Sequence, residues 1–547
     1  MVLRKFLPLF LLPFLFGLSL NAQQFNEILG RPTDSSITIS ILFDQETEVY
    51  WEYGTASGTY ASQTTVYNAP ASQPVEADFI GLMPNTRYYY RSRYRSVGST
   101  ATFQAGPEHS FQTHRPRGST FSFAVEADPH LDTNTIPASY TLTLQNMLSK
   151  QVDFMVDLGD NFLSEKYVLV PGQQQPVANY KSIIKERTAL YRPYYGTLCH
   201  SAPLFLTLGN HEGELGWKIT GTDSSMPVVA ANLRKLYYPN PYPNSFYTGN
   251  DSAEAYVGLR ENYYAWEWGD ALFMVIDPYW YTRQSQRAGW GWTLGKRQFD
   301  WFKNTISTST AKFKFIFCHQ LVGGNGNDAR GGIEYADLFE NGGRNADSSW
   351  AFDLQRPHWE EPLHALMLEN KASVYFHGHD HCYAAQNKDG IIYHEVPQPS
   401  ARNINTFTGS GTGYGYVNGT LLPSRGFLLV TVSPDSAVVE YVKTFLPNEE
   451  NSTRRNMDIA HRYVIKDAAP PAPTVYTFTG SGRWDIAANW LNNSIPPALL
   501  PSGSGIVIDP VAGGYCELNR VQVIATGATI EVRPGKRLLM PGTLIQR

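Results

Sequence analysis

Five short blocks along this 547-residue chain carry side chains that bind metal ions and move protons. They are Asp128-Pro129-His130, Gly159-Asp160-Asn161, Gly209-Asn210-His211-Glu212, His319 and Gly378-His379-Asp380-His381. Mixed imidazole, amide and carboxylate donors suit borderline ions such as Zn²⁺, Mn²⁺ or iron, without choosing among them. Two such ions held side by side repel, and an anionic side chain between them offsets the repulsion. The chemistry open to this set is metal-assisted hydrolysis, in which a water shared by two ions loses its proton near neutral pH and attacks as hydroxide.

Each block ends a run that reads as a buried strand: FSFAVEADPH, FMVDLGDN, LFLTLGNHE, FKFIFCHQ and SVYFHGHDH. A strand ending in Asp, Asn or His presents its ligand at the carboxyl edge of a sheet, where open α/β sheets bind ligands. Period-two alternation in His379-x-His381 would give the two histidines a common facing. Helical stretches alternate with these strands: ASYTLTLQNMLSK, KSIIKERTALYRPYYGTL and GKRQFDWFKNTI. The pattern predicts a central α/β domain over residues 117–466.

The length suits several domains. Residues 1–22 read as a cleavable signal peptide, with Arg4 and Lys5 before an apolar run from Phe6 to Leu20 and a cut after Ala22. That run is shorter than the ~20 residues a membrane span needs, so a secreted, periplasmic or cell-surface protein is expected. Residues 23–116 show short alternating strands (SITISILF, TEVYWEYG, RYYYRSRYRS, HSFQTH) that predict an all-β sandwich. A linker at 467–474 precedes a β-rich module at 475–547 that reads as short solenoid-like rungs, with surface or glycan contact or plain capping as its expected roles. The formal charge of −5 and the lack of a basic tract argue against nucleic-acid binding. Cys199, Cys318, Cys382 and Cys516 are spaced irregularly; Cys318 and Cys382 adjoin His319 and His381, yet strand alternation predicts them as packing residues.

Taken together and in order, the five blocks resemble the calcineurin-like metallophosphoesterase superfamily, which implies four αββα layers for the central α/β domain. The stretch Leu82-Met83-Pro84-Asn85-Thr86-Arg87-Tyr88-Tyr89-Tyr90 resembles the tyrosine corner of fibronectin type III domains, and a sandwich of that kind ahead of the enzyme resembles purple acid phosphatases. Two positions depart from them: His130 stands where they carry Gly, and Leu163 where they carry the Tyr that colours them, so no purple chromophore is expected. The resemblance implies Asp128, His130 and His381 on one metal, Asn210, His319 and His379 on a second, and Asp160 bridging both. It also makes His211 the candidate general acid or phosphate-oxygen donor, a task suited to an imidazole pKa.

Around this set, Arg330 is a candidate holder of a non-bridging phosphate oxygen or a solvent-facing loop residue. Trp217, Tyr279 and Trp280 either stack on a leaving group or pack in the core. Glu212 either orients His211 or caps the following segment, His377 is a candidate outer hydrogen-bond partner, and Asp132 and Asp277 read as turn residues. The aromatic insertion between the third and fourth blocks, closed by a hairpin turning at Gly269-Asp270, has the length of a lid. The expected function is hydrolysis of small phosphomonoesters by an exported two-metal enzyme. The alternatives are a phosphodiesterase, acting on cyclic nucleotides or glycerophosphodiesters, and a surface binding protein with a degenerate enzyme core.

Overall fold

The computed structural model describes residues 24–168, 177–283, 288–326, 328–409, 414–466 and 473–546. The leader read at 1–22 and most of the 467–474 linker lie outside the described residues. Among the described residues, no helix is long and apolar enough to cross a membrane.

The central module is built from strands buried on both faces. In Phe121–Glu126 and Phe154–Asp157, Phe123, Val125, Phe154 and Val156 point into one apolar layer, while Ala124 and Met155 point into another. The same alternation sorts Phe273 and Val275 from Leu272 and Met274, and Phe315 and Phe317 from Ile316. Two sheets therefore bury their Phe-rich faces against each other. One holds six strands, with Phe121–Glu126, Phe154–Asp157 and Leu204–Leu206 in parallel; the other holds eight, with Ala271–Val275, Phe313–Phe317 and Val374–His377 in parallel. Helices Pro137–Ser149, Val177–Leu190, Lys296–Thr308 and Leu363–Glu369 pack in the second apolar layer, completing an αββα arrangement.

Ahead of it, an antiparallel three-stranded sheet (Phe25–Gly30, Ser36–Phe43, Val75–Ile80) faces a second sheet centred on Thr47–Gly54 and Arg87–Ser96. Trp51, Tyr53, Phe79, Tyr88 and Tyr90 fill the space between. The Met83 N–H donates to the Tyr88 hydroxyl at 2.9 Å, closing the corner read from LMPNTRYYY and singling out Tyr88 among its three tyrosines.

The C-terminal strands pair with one another in parallel. Val475–Phe478, Gly505–Ile508 and Thr529–Val532 form one three-stranded sheet, and two further triplets repeat the pattern. The module is thus a short three-sided parallel β-helix around Phe478, Trp484, Leu500, Ile506 and Ile524. All four cysteines are free and buried.

The aromatic insertion is structural rather than a lid. Tyr237, Tyr238 and Tyr247 are buried. The Tyr238 hydroxyl donates to Thr188 O at 2.6 Å, and the Tyr247 hydroxyl reaches Pro32 O in the N-terminal sandwich. Its hairpin forms as expected, with Trp268 opposite Ala271 and a left-handed Gly269 (φ 58°) at the turn.

A histidine pair sits on the seam between sandwich and central module. The His109 and His200 rings stack at 3.8 Å, and Glu27 Oε2 lies 3.9 Å from His109 Nε2. Burial, then the His200 charge, depress the His109 pKa to about 3. The folded form refuses a proton that the unfolded chain accepts near pH 6.5, so this contribution is complete above that pH and is lost as pH falls toward 3. Glu27, pushed up to about 7 chiefly by burial, acts in the opposite sense between pH 7 and 4.5. Replacing His109→Phe keeps the ring and removes its titration. The variant is expected to lose less melting temperature than the parent between pH 7 and pH 4; parallel curves would exclude this role for His109.

Candidate metal centre

All five blocks lie just beyond carboxyl ends of the parallel strands, three from one sheet and two from the other. The backbone there is unusual. Asp128 (φ 60°), His130 (54°), Asp160 (62°), His379 (79°) and His381 (56°) are all left-handed. Each such non-glycine residue costs about 1–2 kcal/mol, a strain that persists where surrounding contacts fix the chain. His379 and His381 therefore owe their facing to left-handed loop backbone and not to strand alternation, because the strand ends at His377. Two glycines permit the crowding: a Cβ on Gly209 would meet Asp160 Oδ1 at 2.4 Å, and one on Gly378 would meet Asp128 Oδ2 at 2.5 Å.

These loops bring the ligand atoms into two groups that share one carboxylate. Asp128, His130, Asp160 and His381 form the first, and Asp160, His319 and His379 the second, each with its atoms within 4.8 Å of one another. Asp160 Oδ2 stands 3.6 Å from His130 Nε2, 3.2 Å from His319 Nε2 and 3.8 Å from His211 Nε2. Asp128 Oδ1 stands 3.4 Å from His381 Nε2 and 3.8 Å from His319 Nε2. The tautomers follow from the outer partners. His319 Nδ1–H donates to Leu158 O at 2.8 Å, leaving the Nε2 lone pair facing inward; His379 Nε2–H donates to Asp328 O at 2.8 Å, leaving Nδ1.

Buried Asp128 Oδ1, His130 Nε2, Asn210 Oδ1 and His319 Nε2 have no hydrogen-bond partner. Orphaned donors and acceptors of this kind are rare in folded proteins, and these four belong to the predicted ligand set, so the site fits bound cations. The electrostatics agree. Burial opposes charge on Asp160, yet the His211 and His319 imidazoles hold its carboxyl well below the ordinary value. Burial likewise opposes charge on His319, but Asp160 and Asp128 raise its pKa to about 10, so the inward Nε2 holds a proton wherever no cation takes its place. The two carboxylates thus make a strongly cation-attracting centre.

A ring of side chains fixes the loop backbone. The His379 N–H donates to Asp128 Oδ2 and the His211 N–H to Asp160 Oδ1, both at 2.8 Å. Gln398 Nε2 donates to Asp128 O at 2.9 Å, Ser400 Oγ to Pro129 O and Ser424 Oγ to His381 O at 2.7 Å. Glu212 neither orients His211 nor caps a following helix. Its carboxylate accepts from the backbone N–H groups of Asp160 (3.0 Å), Asn161 (2.7 Å), Phe162 (3.3 Å) and Gly209, tying the second block to the third. The His211 partner is instead Glu165, on the short helix Ser164–Val168, whose Oε1 accepts from His211 Nδ1. His377 Nδ1 lies 2.8 Å from Glu395 Oε2, and Glu395 Oε1 accepts from the Asp380 N–H at 2.9 Å.

Several expected substrate contacts take other places. Tyr279 is fully buried, its hydroxyl donating to Gln320 Oε1 at 2.9 Å, and cannot stack on a leaving group. Trp280 is buried under the Arg260 guanidinium, 3.9 Å from the ring centroid. Trp217 is half-buried and packs edge-on against Trp292 at 5.8 Å. Arg330 is at the rim, where its Nη1 donates to His379 O (2.8 Å) and Asp380 Oδ1 (2.9 Å). Asp132 serves a turn, accepting from Asn134 N–H, and pairs with Lys166 at 2.7 Å.

Asp277 is not simply a turn residue. It belongs to a buried charge network in which Arg260 pairs with Asp277 (3.0 Å) and Glu214 (2.7 Å), and Arg234 with Glu214 (2.6 Å). Removing one member strands the others without solvent. Arg260→Met is expected to cost about 3–5 kcal/mol in urea unfolding; a loss below about 1 kcal/mol would contradict the network's structural role.

Residues 121–383, which carry all five blocks, match the family model of calcineurin-like phosphoesterases. The central module is a calcineurin-like phosphoesterase domain. The chain is accordingly a metal-dependent phosphoester hydrolase. Among solved structures it is similar to PhoD, at 16% identity and TM-score 0.57, covering 81% of this chain and 90% of that one. It is also similar to the purple acid phosphatase PPD1 from yellow lupin (Lupinus luteus) seeds, at 16% identity and TM-score 0.51, covering 82% and 76%. At such identity the likeness concerns the fold. No curated protein matches the chain in sequence.

Proposed function

We propose that the chain hydrolyses small phosphomonoesters at a binuclear centre in which Asp160 is the shared ligand. The observation that supports this most is the pair of ligand groups meeting at one carboxylate. Asp128, His130 and His381 would complete the first ion's set, and Asn210, His319 and His379 the second's. Ions held there supply Lewis acidity, lowering the pKa of a water toward neutrality and neutralising phosphoryl charge.

The protein's own groups orient and protonate. With Nδ1 engaged by Glu165, His211 directs Nε2 toward the centre, 3.8 Å from Asp160 Oδ2, and can hand its proton to a departing ester oxygen. Burial opposes charge on His211, while the Asp160 and Glu165 carboxylates raise its pKa. His211 and His381 are the more exposed of these histidines, at 24% and 37% of their side chains, which supports substrate entry from their side. Arg330 stands at the rim beside His379 with its charge paired to Asp380 at 2.9 Å, leaving its other donors as the candidate contact to a phosphate oxygen. The leader read at residues 1–22 supports action outside the cytoplasm.

The test is hydrolysis of para-nitrophenyl phosphate beside its bis-ester by protein reconstituted with zinc, manganese or iron. Faster turnover of the monoester is expected. Faster turnover of the bis-ester would replace this reading with a phosphodiesterase.

A further inference from the structure

The left-handed loops need outside partners, and most are held by donors from the segment following the fifth block. Gln398 and Ser400 hold the carbonyls of Asp128 and Pro129, and Ser424 that of His381. The His130 carbonyl is held differently. Arg187, on the helix Val177–Leu190, donates Nη2 to His130 O and Nε to Phe162 O, both at 2.9 Å. One planar guanidinium thus bridges the loop of Asp128 and His130 to the loop that follows Asp160. Its helix is anchored by Ile184, buried in the core, and the Tyr167 ring lies 4.7 Å from the guanidinium carbon.

The consequence concerns spacing. His130 Nε2 and Asp160 Oδ2 are 3.6 Å apart and belong to the same ligand group. Ligand-to-ion distances tolerate only about ±0.2 Å. His130, Leu131 and Leu163 all adopt left-handed φ (54°, 47° and 50°), so both loops would relax without an outside tie. We infer that Arg187 is a positioning residue for the first ion, setting the distance between His130 and the shared Asp160. The inference rests on the binuclear reading. It assigns Arg187 no contact with substrate or with the reacting atoms.

A rigid two-donor fork is what the role requires, and it is what Lys lacks. Arg187→Met removes both donors and keeps an apolar stem; Arg187→Lys keeps one donor. The experiment is calorimetric titration of metal-free protein with Zn²⁺ and with Mn²⁺, beside thermal melting of the metal-free form. Arg187→Met is expected to weaken one of two sites by ~10–100-fold, as loss of an outer-shell partner does. The other site and the metal-free melting temperature are expected to stay at parental values, with Arg187→Lys in between. Two sites of parental affinity in Arg187→Met would overturn the inference. So would joint weakening of both sites with a lowered melting temperature, which would mark a general structural role. Should Arg187→Met not fold, Arg187→Lys decides: selective weakening of one site supports the inference, and parental affinity overturns it. Parental protein that binds fewer than two ions would overturn the binuclear reading itself.

Discussion

Asp160→Ala is expected to abolish hydrolysis and to reduce metal content from two ions to at most one. This carboxylate belongs to both ligand groups, and its Oδ2 is within 3.8 Å of three imidazoles. Removing it takes one ligand from each ion and exposes each ion to the other's unscreened charge. The fall in kcat/KM is expected to exceed the ~10²–10³-fold seen when a single oxyanion donor is removed. Asp160→Asn separates charge from shape. It retains an acceptor for the His211 N–H, which now donates to Oδ1 at 2.8 Å, so the loop keeps its tie while the bridge loses its anion. Metal analysis with steady-state kinetics provides the check. An Asn variant with two ions and parental turnover would show that the shared anion is not what assembles the centre.

His211→Ala is expected to give the opposite combination: two ions retained and kcat lowered by about 10²–10⁴-fold, the range for loss of a positioned general acid. The size should depend on the leaving group. A basic alkoxide needs its proton during departure more than para-nitrophenolate does, so the loss should be larger on an alkyl phosphate than on the aryl ester. Glu165→Gln, which removes the carboxylate that fixes His211 Nδ1, should show the same leaving-group trend in weaker form. Equal losses on both esters would point to phosphate binding by His211 in place of proton transfer.

Much of this centre is visible in the residues themselves. The five blocks announce their ligands because metal chemistry restricts the choice to a few side chains and strand periodicity places them at a sheet edge. The alternation of Phe123 and Val125 with Ala124 likewise betrays strands buried on both faces. The parts that stay hidden depend on long-range geometry. Gln398 and Ser400 lie 270 and 271 residues from the carbonyls they hold, and no local pattern marks a side chain that serves a distant backbone. Glu165 carries a fainter signal: an acid five residues beyond Asp160, on the short helix that leaves the second block. Glu212 reads in sequence as a partner of His211 or a cap of the following segment, but a buried carboxylate gains more from several converging N–H groups than from either. Tyr279 and Trp280 stay ambiguous in sequence because an aromatic ring beside a site and one beneath it look alike there; packing settles both as core residues.

The most direct test of the central claim is the number of ions bound per chain, measured by elemental mass spectrometry on folded protein and on Asp160→Asn. Two ions per parental chain, with at least one lost from the variant, is the result predicted by two ligand groups meeting at Asp160. Fewer than two ions per parental chain, or a variant that keeps both, would contradict it.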